Sequence, residues 1–164
     1  MATYTVAIPG ANISPLVKPE QTLGGYTTRY YVPYTLISLS GASSSSDTVL
    51  LTLGTTPSNW VVTSATVNIP AGQFFGGSTA TLTAVLGTTT TTNAFVSSFS
   101  TLTSGTYSGI YGPNSVNLPG SSQGTSTITL AMTLTPGGVG ASPANFTSGE
   151  MTVLIGLYDP SQIS

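Results

Sequence analysis

The chain predicts an all-β domain, a single antiparallel β-sandwich or jelly-roll-like barrel behind an extended N-terminal arm. Three observations carry that expectation. Apolar residues alternate with Thr, Ser and Gly at a period of two, and no segment shows the 3.6-residue period of a three-turn helix. Clusters of Gly, Pro, Asn and Ser recur between the alternating runs, as in a chain that often reverses direction. Thr and Ser fill about a third of the 164 residues, and β-branched Thr suits a pleated strand better than a helix. A chain of this length builds one domain that buries roughly 70% of the surface its unfolded form exposes.

Residues 1–46 read as the arm and a first strand, and residues 47–164 as the sandwich. The arm holds Pro9, Pro15 and Pro19, and with Lys18, Glu20 and Arg29 it carries three of the six charged side chains. A strand is expected over residues 28–40, bent at Pro33, because proline is confined to strand edges and bulges. Its tyrosines, Tyr30, Tyr31 and Tyr34, allow two readings. One is an edge strand of the same sandwich. The other is an arm that docks on a neighbouring subunit, where tyrosine gives large contact area at low entropy cost.

The remaining strands follow from alternation. Over residues 47–53 the inward set is Val49, Leu51 and Leu53. Val61, Ala65, Val67 and Ile69 share a face of the next run, and Ala80, Leu82, Ala84 and Leu86 a face of the one after. Over residues 127–134, Ile128, Leu130, Met132 and Leu134 oppose a face of Thr. The last run presents Met151, Val153, Ile155 and Leu157. Turns are expected at residues 54–59, 72–78, 87–93, 112–114, 120–124 and 136–143. Leu53-Gly54-Thr55-Thr56 is echoed by Leu86-Gly87-Thr88-Thr89, each followed by an Asn-led strand, which predicts two similar strand–turn–strand units in one domain.

Composition excludes most chemistry. Charged residues make up 4% of the chain, against about 25% in ordinary proteins, and there is neither Cys nor His. No thiol nucleophile, disulfide or thiolate metal site is available, and the commonest general base and metal ligand are missing. Two cations do not neutralise a phosphate track, so no nucleic-acid partner is expected. No apolar run approaches the roughly 18 residues that span a bilayer, and the N-terminal residues lack a basic n-region and an apolar h-region. A soluble or assembled chain, made in the cytoplasm and with no membrane partner, is expected. Asp47, Glu150 and Asp159 sit at expected strand ends and read as solvated carboxylates, not as a glycosidase pair. Lys18, the one base open to a Ser–Lys dyad, lies in the proline-rich arm, where nothing suggests a rigid buried base. The stretch 72–77 lacks the Lys-Ser/Thr pair of a phosphate loop. The chain is expected to be no enzyme and to hold no cofactor or metal.

Asn12-Ile13-Ser14 and Asn145-Phe146-Thr147 fit the glycosylation sequon, and since no secretory signal is expected they read as chance matches. The Thr-x-Thr runs are too irregularly spaced for an ice-binding face. Trp60, Phe74, Phe75 and Tyr111 read as packing or subunit contacts, with sugar stacking the alternative. A free monomer keeps its surface charged to stay dispersed. A Thr- and Ser-rich surface whose edge strands lack Lys is poorly protected from association, and predicts an obligate oligomer.

A resemblance follows from ordered features. Asp47-Thr48-Val49-Leu50-Leu51 opens a strand, then comes Val67-Asn68-Ile69-Pro70. Phe75-Gly76-Gly77-Ser78-Thr79-Ala80-Thr81-Leu82 sets a double Gly before a small-residue strand. Thr103-Ser104-Gly105-Thr106-Tyr107 and the closing Phe146-Thr147-Ser148-Gly149-Glu150-Met151-Thr152-Val153 to Tyr158-Asp159-Pro160 complete the set. In this order, over about two thirds of the chain, the sequence resembles small virion structural proteins of tailed bacteriophages that decorate or cement the capsid. The resemblance implies a mechanical role on the outer capsid surface. Subunits, often trimers, would bridge capsomers of the major capsid protein against internal pressure. The contact is expected in the arm, which precedes the matched features and has no counterpart among them, on Lys18, Glu20, Arg29, Tyr30 and Tyr31. A receptor- or glycan-binding domain of a head fibre or tail is the alternative that the same strands allow.

Overall fold

The structure, a computed structural model, describes residues 3–7, 28–38, 47–56, 61–72, 76–77, 81–109, 128–137 and 146–158. Among them run eleven strands and one short helix. In chain order these are β1 (Thr3–Ala7), β2 (Thr28–Pro33), α1 (Tyr34–Ser38), β3 (Thr48–Thr56), β4 (Val61–Ile69) and β5 (Gly76–Gly77), followed by β6 (Thr81–Thr88), β7 (Val96–Ser100), β8 (Gly105–Gly109), β9 (Ile128–Gly137), β10 (Phe146–Ser148) and β11 (Glu150–Tyr158).

The long strands form two sheets with the orders β1-β3-β9-β6-β7 and β2-β11-β4-β8, and β10 pairs separately with β5. The molecule is thus the expected all-β sandwich. Setting aside β1 and the short β5–β10 ladder leaves eight strands. Counted 1 to 8 along the chain, they lie in the orders 1-8-3-6 and 2-7-4-5. First pairs with last, second with second-last, third with sixth and fourth with fifth, every pair antiparallel. This is one long hairpin rolled across itself, the jelly-roll winding.

One face of each sheet supplies the core. Val49, Leu51 and Leu53 of β3, Leu82, Ala84 and Leu86 of β6 and Met132 and Leu134 of β9 are buried in the first sheet. Val32 of β2, Ala65, Val67 and Ile69 of β4 and Met151, Val153, Ile155 and Leu157 of β11 answer from the second. Each fully buried aliphatic side chain contributes roughly 1.5–3 kcal/mol from burial alone, which is why a chain so poor in charge still specifies one register.

Two bulges modify the alternation. β11 keeps strict alternation, but its partners on β4 step from Ser64 to Val62, so Thr63 is an extra residue. The inward position beyond the bulge therefore falls to Val62, which is buried; the side chain of Val61, which plain alternation selects, lies outside those described. On β7, Val96 pairs with Leu86 and Phe99 with Ala84. The exposed pair Ser97 and Ser98 bulges outward and lets Val96 and Phe99 both face inward. Phe99 then stacks on Tyr107 of β8 with ring centroids 4.5 Å apart, closing the sandwich where the two sheets end.

The strand expected over residues 28–40 stops at Pro33. The Tyr34 amide donates to the Gly149 carbonyl at 2.9 Å, and the chain winds into α1, with the Ser38 hydroxyl donating to the Thr35 carbonyl at 3.2 Å. This turn places Ile37 wholly inside the core, a gain that outweighs the low helix propensity of its β-branched residues. Strands also run further than expected: β3 and β6 extend into the anticipated turns at 54–59 and 87–93, and β9 includes Pro136. The echoed segments flank the same strand, since β3 and β6 both pair with β9. They diverge afterwards: β4 joins the opposite sheet, whereas β7 folds back on β6.

The turn after β6 is built on Gly87. A Cβ there would stand 2.2 Å from the Thr91 carbonyl oxygen and 2.5 Å from that of Thr92. The turn backbone is held close because Thr88 N–H donates to Thr91 O at 2.9 Å and Thr91 N–H donates to the Thr88 hydroxyl at 2.8 Å. Thr88 and Thr101 are buried polar residues, and Thr101 satisfies its hydroxyl on the Leu82 carbonyl at 3.3 Å.

Candidate interaction surface

The outward face of the second sheet sets mostly short polar side chains in cross-strand rows around Leu154, with Thr66 only 5% exposed among them. The register sets Tyr31, Thr152, Asn68 and Thr106 in one row across β2, β11, β4 and β8. Arg29, Leu154, Thr66 and Ser108 form the next. The rows tie themselves together: the Thr106 hydroxyl donates to Asn68 Oδ1 at 2.9 Å, and the Thr66 and Ser108 hydroxyls share a hydrogen bond at 3.1 Å. Such cross-strand pairs add small increments that fix the sheet without any charge.

Among the described residues, charge enters these rows only at their β2 margin. The Tyr31 hydroxyl donates to Glu150 Oε2, at the start of β11, and exposed Arg29 lies two residues away on the same face. The hydrogen bond to Glu150, with the repulsion of its negative charge, holds the Tyr31 phenol above its ordinary value of 10.0. Tyr31, 49% exposed, is the one exposed large hydrophobic side chain among the described residues.

The expected contact residues therefore separate. Arg29 and Tyr31 come together at the surface. Tyr30 points the other way, 3% exposed in the core, as the period of two requires for its neighbours to face out. Its hydroxyl is buried with no hydrogen-bond partner, and burial pushes its pKa up to about 12. Tyr30 thus offers no surface to a partner in this fold. Lys18 and Glu20 lie outside the described residues, as do Trp60, Phe74, Phe75, Tyr111 and Asp159.

Two carboxylates differ from expectation. Asp47 is not a solvated strand end: it is 7% exposed and engaged by its surroundings, because the chain enters β3 directly against the core residue Val49. Glu150 is half-buried and begins β11. It escaped notice as a site residue because its partner Tyr31 is 119 positions away, a separation that no local pattern bridges. Among the described residues no group of three or more His, Cys, Asp or Glu is placed to hold a metal ion. No helix there is long and apolar enough to cross a membrane. Compared with known proteins, the chain matches no family model, no curated protein and no solved structure.

Proposed function

We propose that this chain is a structural subunit of a phage virion, decorating or cementing the outer shell by bridging capsomers of the major capsid protein, and that it works as a homo-oligomer, with a trimer favoured. The observation that carries the reading is the eight-strand jelly-roll winding, an architecture that serves in viral capsid domains. The surface chemistry is compatible. Rows of Thr, Ser and Asn with a single Arg29–Tyr31–Glu150 margin suit a large, weakly polar contact repeated over many copies. Closed symmetric contacts would also cover sheet edges that no lysine guards.

The deciding measurement is the copy number of this chain relative to coat protein in purified virions, by quantitative mass spectrometry. Hundreds of copies in fixed ratio support the shell role. A handful per particle transfers the chain to a tail or fibre, and absence from virions overturns the reading.

A second reading, a receptor- or glycan-binding domain, is favoured by exposed Tyr31 beside hydrogen-bonding Thr152 and Asn68, since an aromatic face beside polar groups suits a sugar ring. Lectin domains share the same winding. Glycan-array binding that Tyr31→Ala abolishes would promote this reading over the first.

A further inference from the structure

We propose that β1 is an exchangeable strand: in the assembled oligomer, the β3 edge of each copy is completed by residues 3–7 of a neighbouring copy. The inference rests on the self-association contained in the function proposed above, and names the segment and the edge through which it acts.

The first support is topological. β1 and β3 form the one parallel ladder among the described residues, with Thr3 opposite Thr48 through to Ala7 opposite Thr52. The eight-strand winding is complete without it, and among the described residues β1 has β3 as its sole ladder partner. An edge strand held by a five-residue ladder makes the same main-chain hydrogen bonds whichever copy supplies it. Exchange therefore conserves the interaction, which is what makes strand swapping a low-cost route to oligomers.

The second support is reach. β1 lies in one sheet and β2, the next strand, in the other, with 20 residues (8–27) between them. Fully extended, such a connection spans about 66 Å. A domain of 164 residues has a radius of gyration near 15 Å and a diameter of about 40 Å. A connection of that length can reach past the body it is attached to.

The third is what the β3 edge needs. Without β1 it presents a row of unpaired N–H and C=O groups, and between Thr48 and Thr56 there is no charge or proline to discourage pairing. In a dilute monomer the arm's own effective concentration, of millimolar order, keeps β1 at home. Where other contacts hold copies side by side, the neighbour's arm is present at comparable local concentration, and exchange ties the copies together.

The chain has no cysteine, so introduced thiols report cleanly. Thr5 stands opposite Leu50; Thr5 is exposed and Leu50 half-buried, so neither change opens the core. Chains carrying only Thr5→Cys and chains carrying only Leu50→Cys are unfolded, mixed in equal amounts, refolded together at assembly concentration and oxidised. The expected product is a disulfide-linked pair, doubling the 16.6 kDa chain mass, with positions 5 and 50 joined in peptide mass spectra. A mixture of Thr5→Cys with Ser98→Cys should not link.

The proposal is overturned if light scattering shows oligomers, the single variants stay unlinked, and the double variant Thr5→Cys/Leu50→Cys closes only within one chain. A monomer by light scattering at every concentration overturns the self-association reading first, so the two failures are told apart. If either single variant fails to refold, the pair Thr3→Cys and Thr48→Cys, opposite one another in the same ladder, answers the same question.

Discussion

Gly87 and Gly72 are glycines for different reasons, and the difference can be measured. At Gly87 the obstacle is backbone: carbonyl oxygens 2.2 and 2.5 Å from where a Cβ would stand, in a turn whose hydrogen bonds keep it from moving away. At Gly72 the space is open, but φ is +77°, where an L side chain costs roughly 1–2 kcal/mol. Gly87→Ala should therefore lose about 3 kcal/mol, as overpacking does, and Gly72→Ala about 1 kcal/mol, both read from urea midpoints. Tyr30 makes the opposite case, a side chain with an atom too many. Replacing it with Phe removes a buried hydroxyl that lacks a partner, and should gain about 1 kcal/mol at neutral pH. The pH dependence has a definite sign. The folded pKa of about 12 lies above the ordinary 10.0, so the fold favours the neutral phenol. Its contribution is complete below pH 10 and is lost as pH rises toward and through 12. Tyr30→Phe should flatten that alkaline loss in denaturation curves at pH 9 to 12. An unchanged slope would mean that the Tyr30 ring is not held inside.

Bulges explain which deletions the strands should tolerate. Thr63, which is exposed, is the extra residue of β4; removing it leaves Val62 in the inward place it already holds opposite Leu157, and the ladder with β11 becomes regular. Asn68 sits between inward Val67 and Ile69, and deleting it makes these two adjacent, so one must turn outward. Deletion of Thr63 should cost within about 1 kcal/mol, whereas deletion of Asn68 exposes a large aliphatic and costs at least about 2–3 kcal/mol, separable by thermal melts. Much of this architecture was readable beforehand. The inward sets of β3 and β11, the Leu82-Ala84-Leu86 face of β6 and the Met132-Leu134 face of β9 follow from alternation because each is buried on one side only. What escaped was whatever breaks period two. The Ser97-Ser98 bulge looks like any polar pair, and its reason is Phe99 meeting Tyr107 across the sandwich. The helix α1 is five residues long, too short to show a period, and its cause is the burial of Ile37 in the core. Of the surface margin, Arg29 and Tyr31 were singled out from the chain itself, and Glu150 was not, since only the rolled hairpin brings residues 31 and 150 together.

The rolled hairpin sets how the molecule divides when cut. Its outermost pairing, β2 with β11, joins residues more than a hundred positions apart, and β11 is also paired with β4. It is thus an interior strand with Met151, Val153 and Ile155 wholly buried. Such non-local closure must wait for most of the chain, which predicts folding in milliseconds to seconds or slower. The arm is different. β1 holds only an edge, and the connection after it is long, so loss of residues 2–27 removes one five-residue ladder and none of the eight strands of the roll. A chain lacking residues 2–27 should keep its strand spectrum by circular dichroism and melt cooperatively. It should stay monomeric in light scattering at concentrations where the full chain associates. A chain ending before Glu150 should lose the cooperative melt altogether, because β2 and β4 would face each other across a missing strand. If the arm-deleted chain still forms the full oligomer, association runs through the Arg29–Tyr31–Glu150 margin or another sheet edge. Comparing it with Tyr31→Ala in the full chain then decides which: a mass lowered only by Tyr31→Ala places the contact on the outward face of the second sheet.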